Sequence, residues 1–463
     1  MLKKLNKQYL FLILILVIVF LINLITILKI PKQILFGDEA FYFDQAAKIR
    51  EGKFINFQNT QPLLYPSFLS IFVGFNSTFL FRLVNLFLFI IALILFFIYS
   101  KKLFDNYLFS YIAMIIFAFN GMIMLLAVSI YTEILFFVFM LLCFMIFDKI
   151  EDENKIFPWL VFGLVLGLTL ETRITGLFVA AFFLIYILIK NDFKFHHFIS
   201  FFLAFLILIP WLLLGGFKFL FEKQVGSYFR IIGPFSFIFK YWLPFLPFLL
   251  FGIYVAFKEK IELMKKILLF CLVCFIILIS FGGFMMFERH WAIIFPFLSI
   301  ISVKGFEKII KCLKNLRLNL FRIFFILLVI SFFVFYFYIN ITNFKLPSSI
   351  YSQKLYLQIP ENCIEIKEWK VNNKTVSLPV FDQKDRAVYS NITTLEEKYN
   401  KIILFYTDDY GSIKINNTLI GEMHDPLNPH IFYFNFTNES WKIDVEIINT
   451  MNVGGIGQVL ICK

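Results

Sequence analysis

The chain has 463 residues, 60% of them hydrophobic and only 16% charged, with a mean hydropathy of +0.83. A water-soluble protein of this size is not built on that balance, and repeated apolar runs read instead as membrane-crossing helices. The formal net charge of +12 does not require a nucleic-acid partner, because residues 345–463 hold 12 Lys/Arg against 14 Asp/Glu. The whole surplus therefore lies in the apolar part, where basic loops beside anionic lipid explain much of it.

In chain order, hydropathy predicts about eleven spans, roughly at 9–28, 79–100, 107–128, 132–147, 157–171, 174–189, 198–214, 241–257, 267–284, 291–303 and 321–340. The first follows Lys3, Lys4 and Lys7 and is too long for a cleavable signal core, so it reads as a span. Lys and Arg in the short loops set the orientation. With the N-terminus cytoplasmic, inner loops hold 19 Lys/Arg, and outer segments before the last span hold 12 when Arg82 at the outer end of the second span is included. The strongest vote is 304–322, with six cations and one acid. That places residues 29–78 and the chain beyond 341 outside the membrane. The 68 Phe residues read as lipid-facing and packing residues.

After residue 345 the apolar runs shorten and alternate. Lys401–Tyr406, Ser412–Ile415, Ile431–Phe436 and Lys442–Ile447 are strand-length and separated by Asn, Gly, Asp and Pro, which predicts an antiparallel β-sandwich. Six Asn-x-Ser/Thr sequons, at Asn340, Asn373, Asn391, Asn416, Asn435 and Asn438, read either as glycan acceptors on an extracytoplasmic surface or as a product of Asn-rich composition. Cys271-x-x-Cys274 lies inside an apolar run and reads as packing rather than a redox or zinc motif. Cys363 and Cys462, near the two ends of the terminal domain, form either one disulfide or two buried thiols.

Chemistry concentrates at the outer ends of the spans. Gly37-Asp38-Glu39-Ala40-Phe41-Tyr42-Phe43-Asp44 follows the first span, and a carboxylate pair beside a bilayer is costly unless it is paired, hydrated or used. Asp38 caps a helix predicted to reach about Arg50 and to stop at Gly52. The exposed backbone N–H groups there favour an ionised carboxylate, able to accept a proton from an alcohol. Tyr42 lies one turn along the same face. Other polar groups sit at outer span ends: Arg82 and Asn85; Tyr131-Thr132-Glu133; Glu171-Thr172-Arg173; Glu288-Arg289-His290; and Lys218, Lys223, Tyr228 and Arg230 in the 215–240 loop. Converged, they would give a base for an acceptor and cations for a phosphate leaving group. Taken singly, each Arg reads equally as snorkelling to the interface, and His290 as a hydrogen-bonded interfacial residue.

The order Asp38-Glu39-x-x-Tyr42, then Gln61-Pro62-Leu63-Leu64-Tyr65-Pro66, then Phe81-Arg82-Leu83-Val84-Asn85 resembles the start of the GT-C glycosyltransferases. The resemblance is to the protein O-mannosyltransferase and aminoarabinose-transferase branch. Gly163 to Thr175 resembles that branch's Gly-rich span ending in Thr-Arg-x-Thr, and Arg289-His290-Trp291 with Phe295-Pro296 resembles its Arg-Tyr-x-x-x-x-Pro element. The resemblance covers about residues 1–340. It implies transfer of a sugar from a polyprenyl-phosphate donor on the outer face. It further implies Asp38 as catalytic base supported by Glu39, Glu133 as second carboxylate, and Arg173 and Arg289 on the donor phosphate. Gln61 stands where the family's turn often has His. The terminal domain resembles galactose-binding-like sandwiches through Tyr406–Asn417 and through Val445–Asn449 followed by Gly454–Gly457. That fold serves as carbohydrate-binding module or spacer alike.

The expected protein is a polytopic α-helical membrane protein of GT-C type in the cell membrane. Its transmembrane domain is 1–344, with the first outer loop at 29–78, and an extracytoplasmic β-sandwich follows at 345–463. Expected site residues are Asp38 and Glu39 for catalysis and Tyr42, Arg82, Glu133, Arg173, Arg289 and His290 for substrate. No metal ligand is assigned and no cofactor is required, with a divalent cation left open. Expected partners are a polyprenyl-phosphate-linked sugar, a protein or glycan acceptor and the bilayer, and no nucleic acid. The rival reading, a transporter or lipid-sugar flippase, should place charges mid-span in two related halves; here the span centres are nearly free of charge.

Overall fold

The computed structural model describes residues 2–30, 34–36, 38–52, 62–75, 77–104, 106–191, 193–213, 242, 245–280 and 288–315, and from residue 354 onward the strands named below with turn residue 416. The chain forms two compact units. One comprises Met1–Lys29, Gln45–Gly74 and Leu80–Phe344; the other comprises Ile30–Asp44, Phe75–Phe79 and Lys345–Lys463.

The first unit is helical. Its elements are α1 (Leu2–Lys29), the last part of α2 (Asp38–Arg50), α3 (Leu64–Ser70), α4 (Thr78–Lys101), α5 (Tyr107–Ala118), α6 (Gly121–Val128), α7 (Glu133–Ile150), α8 (Ile156–Thr172), α9 (Gly176–Ile189), α10 (Phe195–Trp211), α11 (Leu246–Lys258), α12 (Glu262–Ser280) and α13 (Phe295–Asn315). Among the described residues, Tyr9–Lys29 and Thr78–Lys101 are each long and apolar enough to cross a membrane, with mean hydropathies of 3.3 and 2.7.

Two expected spans take a different form. The run 107–128 is two helices bent by 67° at a break. The Asn120 side chain accepts a hydrogen bond from Met122 N at 3.1 Å, so a capping residue starts a new helix inside an apolar run. The run 291–303 opens as a 3₁₀ turn, Glu288–Ile294, before α13 begins. The basic stretch expected as a loop from 304 continues α13 to Asn315 instead. Lys304 is 9% exposed and donates to Glu307 at 2.8 Å, three residues on, while Lys311 pairs with the same carboxylate from four residues on. Such spacings stabilise a helix. The expected span 321–340 lies outside the described residues.

Helix α7 is the hub. The Phe144 ring lies 4.7 Å from Phe297 on α13, 5.0 Å from Phe270 on α12, and 5.1 and 5.2 Å from Phe183 and Phe182 on α9. Edge and tilted ring pairs of this kind each contribute about 0.5–1.5 kcal/mol beyond burial. The Gly-rich span has a packing reason too. A Cβ at Gly163 would fall 2.5 Å from the Ser200 carbonyl oxygen, and one at Gly167 would fall 2.5 Å from Ile207 Cδ1. Only glycine lets α8 and α10 approach this closely. Cys271 and Cys274 sit within α12, Cys274 fully buried.

In the second unit every strand pairing is antiparallel. β1 (Ile34–Phe36) pairs with β2 (Lys354–Tyr356). The remaining strands are β3 (Cys363–Glu365), β4 (Glu368–Val371), β5 (Lys374–Ser377), β6 (Val380–Gln383), β7 (Arg386–Thr394), β8 (Lys401–Thr407), β9 (Tyr410–Ile415), β10 (Thr418–Met423), β11 (His430–Tyr433), β12 (Ser440–Ile448) and β13 (Gly454–Cys462). They form a sheet ordered β10-β9-β12-β7-β4-β5 and another ordered β11-β8-β13-β3, with β6 also on β13. Ile402, Ile413, Ile415 and Ile443 are fully buried, which fits the alternation read from the sequence. Asn416, at φ +49°, follows β9 in the turn toward β10, because Asn tolerates the left-handed conformation that such hairpins need. The β13–β3 register makes Cys462 and Cys363 Cα partners. Of the sequon asparagines, Asn340, Asn373, Asn435 and Asn438 lie outside the described residues.

Candidate functional site

The site is built around the first turn of α7. The polar side chain of Asn85, in the second turn of α4, donates to Leu126 O at 2.9 Å and Ser129 O at 2.6 Å. These carbonyls end α6, whose last C=O groups have no helical partner of their own. The bonds fix the short connection that carries Tyr131, Thr132 and Glu133. Arg82 lies one turn before Asn85 on α4 and is 1% exposed. Its neighbourhood therefore belongs to the same packed corner.

Glu133 opens α7 and is 2% exposed. An acid in a first turn is favoured by the exposed N–H groups there. Its Oε1 forms an ion pair with Arg173. Arg173 follows the last residue of α8 in an extended conformation, φ −161° and ψ 142°, so its side chain leaves the helix axis. Arg289, in the 3₁₀ turn before α13, brings Nε to 3.8 Å from the same Oε1. Its guanidinium also lies over the Tyr131 ring, 5.0 Å from the centroid, a cation–π contact that orients the group. Three elements distant in sequence thus deliver two guanidinium groups to one carboxylate. The trio carries one net positive charge. Planar guanidinium groups are suited to phosphate oxygens.

His290 stands beside Arg289 in the same 3₁₀ turn and is half-buried. The side chains of Glu288 and Asp38, and residues Gln61, Lys218, Lys223, Tyr228 and Arg230, lie outside the described residues. The backbone of Asp38 is described, and it opens α2. The helix ends as expected: α2 stops at Arg50, and Gly52 takes φ +70° while donating to Ile49 O at 3.0 Å. Gly is the residue that adopts this cap without strain. Glu39 and Tyr42 are buried, 1% and 4% exposed. Asp38, Glu39 and Tyr42 belong to the second unit, whereas Arg82, Glu133, Arg173, Arg289 and His290 belong to the first.

One residue outside the expected set takes a clear role. Glu171, 6% exposed near the end of α8, accepts a hydrogen bond from the backbone N–H of Leu63 at 3.0 Å. Leu63 precedes α3 and sits in the Pro62–Pro66 turn, where Pro62, Tyr65 and Pro66 are buried. Glu171 therefore anchors that turn to the helix end carrying Arg173. The sequence signal was an acid at the end of an apolar run, flanked by Thr172 and Arg173. Among the described residues no group of three or more His, Cys, Asp or Glu is arranged to hold a metal ion.

No family model and no curated protein matches the chain. Among solved structures it is similar to ArnT from Cupriavidus metallidurans bound to undecaprenyl phosphate, with a TM-score of 0.50 and 11% identity over 65% of this chain and 60% of that one. The apo form of the same protein matches with a TM-score of 0.47 and 12% identity, over 66% of this chain and 60% of that one. The chain thus spans about 60% of the length of the ArnT structures it matches. The first of these likenesses shows the fold: over the matched part, the chain shares the architecture of ArnT.

Proposed function

We propose that this chain is an integral-membrane glycosyltransferase that moves a sugar from a polyprenyl-phosphate donor to a protein, lipid or glycan acceptor on the extracytoplasmic face. The observation that carries the reading is the Glu133–Arg173–Arg289 trio at the start of α7, with Glu133 and Arg173 buried, in a fold shared with a protein crystallised with undecaprenyl phosphate. In this reading the Asp38 carboxylate takes the proton of an acceptor hydroxyl while its oxygen attacks the anomeric carbon. The bond from that carbon to the phosphate oxygen breaks. The polyprenyl phosphate departs with the electron pair, and Arg173 and Arg289 stabilise its growing charge. Glu39 supports Asp38. Tyr42, Arg82 and His290 line the substrate path, and the two terminal sheets pack as a sandwich outside the membrane.

The bent α5–α6 pair is also the kind of broken helix that transporters use. Detergent-solubilised protein separates the two readings, since a transporter without a membrane yields no product. Incubated with a polyprenyl-phosphate sugar and an acceptor, the purified protein is expected to release polyprenyl phosphate and glycosylated acceptor. The Asp38→Asn variant is expected to lose about 10²–10⁴-fold of that rate. Correctly inserted Asp38→Asn protein with wild-type turnover contradicts the assignment of the base.

A further inference from the structure

The segment that carries Asp38 belongs to the same compact unit as the terminal strands. β1, Ile34–Phe36, ends two residues before Asp38 and is paired with β2, Lys354–Tyr356, in a defined register: Ile34 with Tyr356, Leu35 with Leu355, Phe36 with Lys354. β2 itself lies against β8 and β13 of the second terminal sheet. Ile30–Asp44 accordingly belongs to one compact unit with Lys345–Lys463. The first turn of α2 is in that unit and its last turn, from Gln45, is in the helical one. A two-stranded ladder of three residues is marginal by itself. It gains support from the sheet that β2 touches.

Resting on the assignment of Asp38 as base, we propose that the C-terminal β domain is a positioning element of the transfer reaction rather than an appended module. Its strand β2 clamps β1 and thereby fixes where α2, and with it the Asp38 carboxylate, begins. In sequence, Gly37 alone stands between the end of β1 and the start of α2. A misplacement of about 1 Å at a reacting group costs on the order of 100-fold in rate. The effect belongs in kcat, because the ladder does not include the arginines assigned to the donor phosphate.

The test uses the full-length protein. Tyr356→Pro removes a backbone N–H and distorts the strand. It is expected to lower kcat about 100-fold while undecaprenyl-phosphate binding stays within about twofold. Adding Leu35→Cys and Leu355→Cys to Tyr356→Pro should then restore turnover under oxidising conditions and lose it again on reduction, with the cross-link located by peptide mapping. Cross-strand partners have Cα atoms about 4.5–5.5 Å apart, within disulfide range. Wild-type kcat in Tyr356→Pro, or no cross-link between Leu35→Cys and Leu355→Cys in the otherwise unchanged chain, overturns the clamp. Asp38→Asn is assayed in parallel. Full activity there overturns the base assignment itself, whereas an inactive Asp38→Asn beside a fully active Tyr356→Pro overturns the clamp alone.

Discussion

The two ends of α7 carry two charge clusters, of three and five groups, that differ in their exposure. Its 18 residues span about 27 Å at 1.5 Å per residue, close to the thickness of a bilayer's hydrocarbon core. At its start, Glu133 is shared by Arg173 and Arg289. At its end, Asp148 and Glu151 are shared by Lys102, Lys190 and Lys266. Both clusters hold one more cation than carboxylate. At the far end the surplus sits on Lys102 and Lys190, whose side chains are 33% and 43% exposed, so water carries it. At the start it sits on guanidinium groups only 7% and 20% exposed. The comparison teaches that paired charges at the two ends of one helix meet water to different degrees.

Substitutions that treat the two ends alike should therefore give opposite phenotypes. The largest effect is expected for Arg173→Ala, which removes a leaving-group donor. Turnover with a polyprenyl-phosphate sugar should fall about 10²–10³-fold, and Arg289→Lys should fall less because it keeps the charge and loses only the fork. Next comes Lys266→Met at the far end. Lys266 is buried between Asp148 and Glu151, so removing it takes one cation from each carboxylate while Lys102 and Lys190 remain, and should cost about 1.5–3 kcal/mol of stability. Thermal unfolding in detergent measures this, and the protein that stays folded should keep its turnover. A stable Lys266→Met protein with lost turnover would erase the contrast.

A smaller effect is expected from pH. Burial works against ionised Glu151, but hydrogen bonds and charge from Lys266 and Lys190 bring its pKa below the ordinary carboxylate value. Its stabilising contribution is thus complete above about pH 4.3, the ordinary glutamate value, and is lost as pH falls through the lowered folded value. The melting temperature should drop on acidification, and Glu151→Gln should flatten that drop. Smallest of all, Lys190→Ala removes an exposed partner and should shift stability by less than about 1 kcal/mol.

The helical layout was legible because hydropathy is a local property: α4, α8 and α9 match their expected spans to within one or two residues. The break at Asn120 was missed because a capping side chain overrides an apolar run. The extension of α13 to Asn315 was missed because a basic stretch that pairs with its own Glu307 looks, as sequence, like a loop. The terminal strands read correctly where alternation is strict, as in β8, β9 and β12. The pairing of Cys363 with Cys462 rests on long-range register, which alternation does not encode; non-reducing peptide mapping tests the bond expected between them. Within the site, the convergence of Glu133, Arg173 and Arg289 spans 156 residues of chain. Composition and spacing cannot place such residues together; only the order of motifs shared with a known family hinted at it. The Glu171 bond to Leu63 N lay beyond both signals, because its partner is a backbone group.

The central claim, that the buried end of α7 is a phosphate site, is tested most directly by undecaprenyl-phosphate binding to purified protein. The account predicts that Arg173→Ala/Arg289→Ala weakens binding at least about 30-fold, the lower end expected for truncating buried charged partners, while Lys102→Ala/Lys190→Ala stays within about twofold. Equal affinities for the two double variants would contradict it.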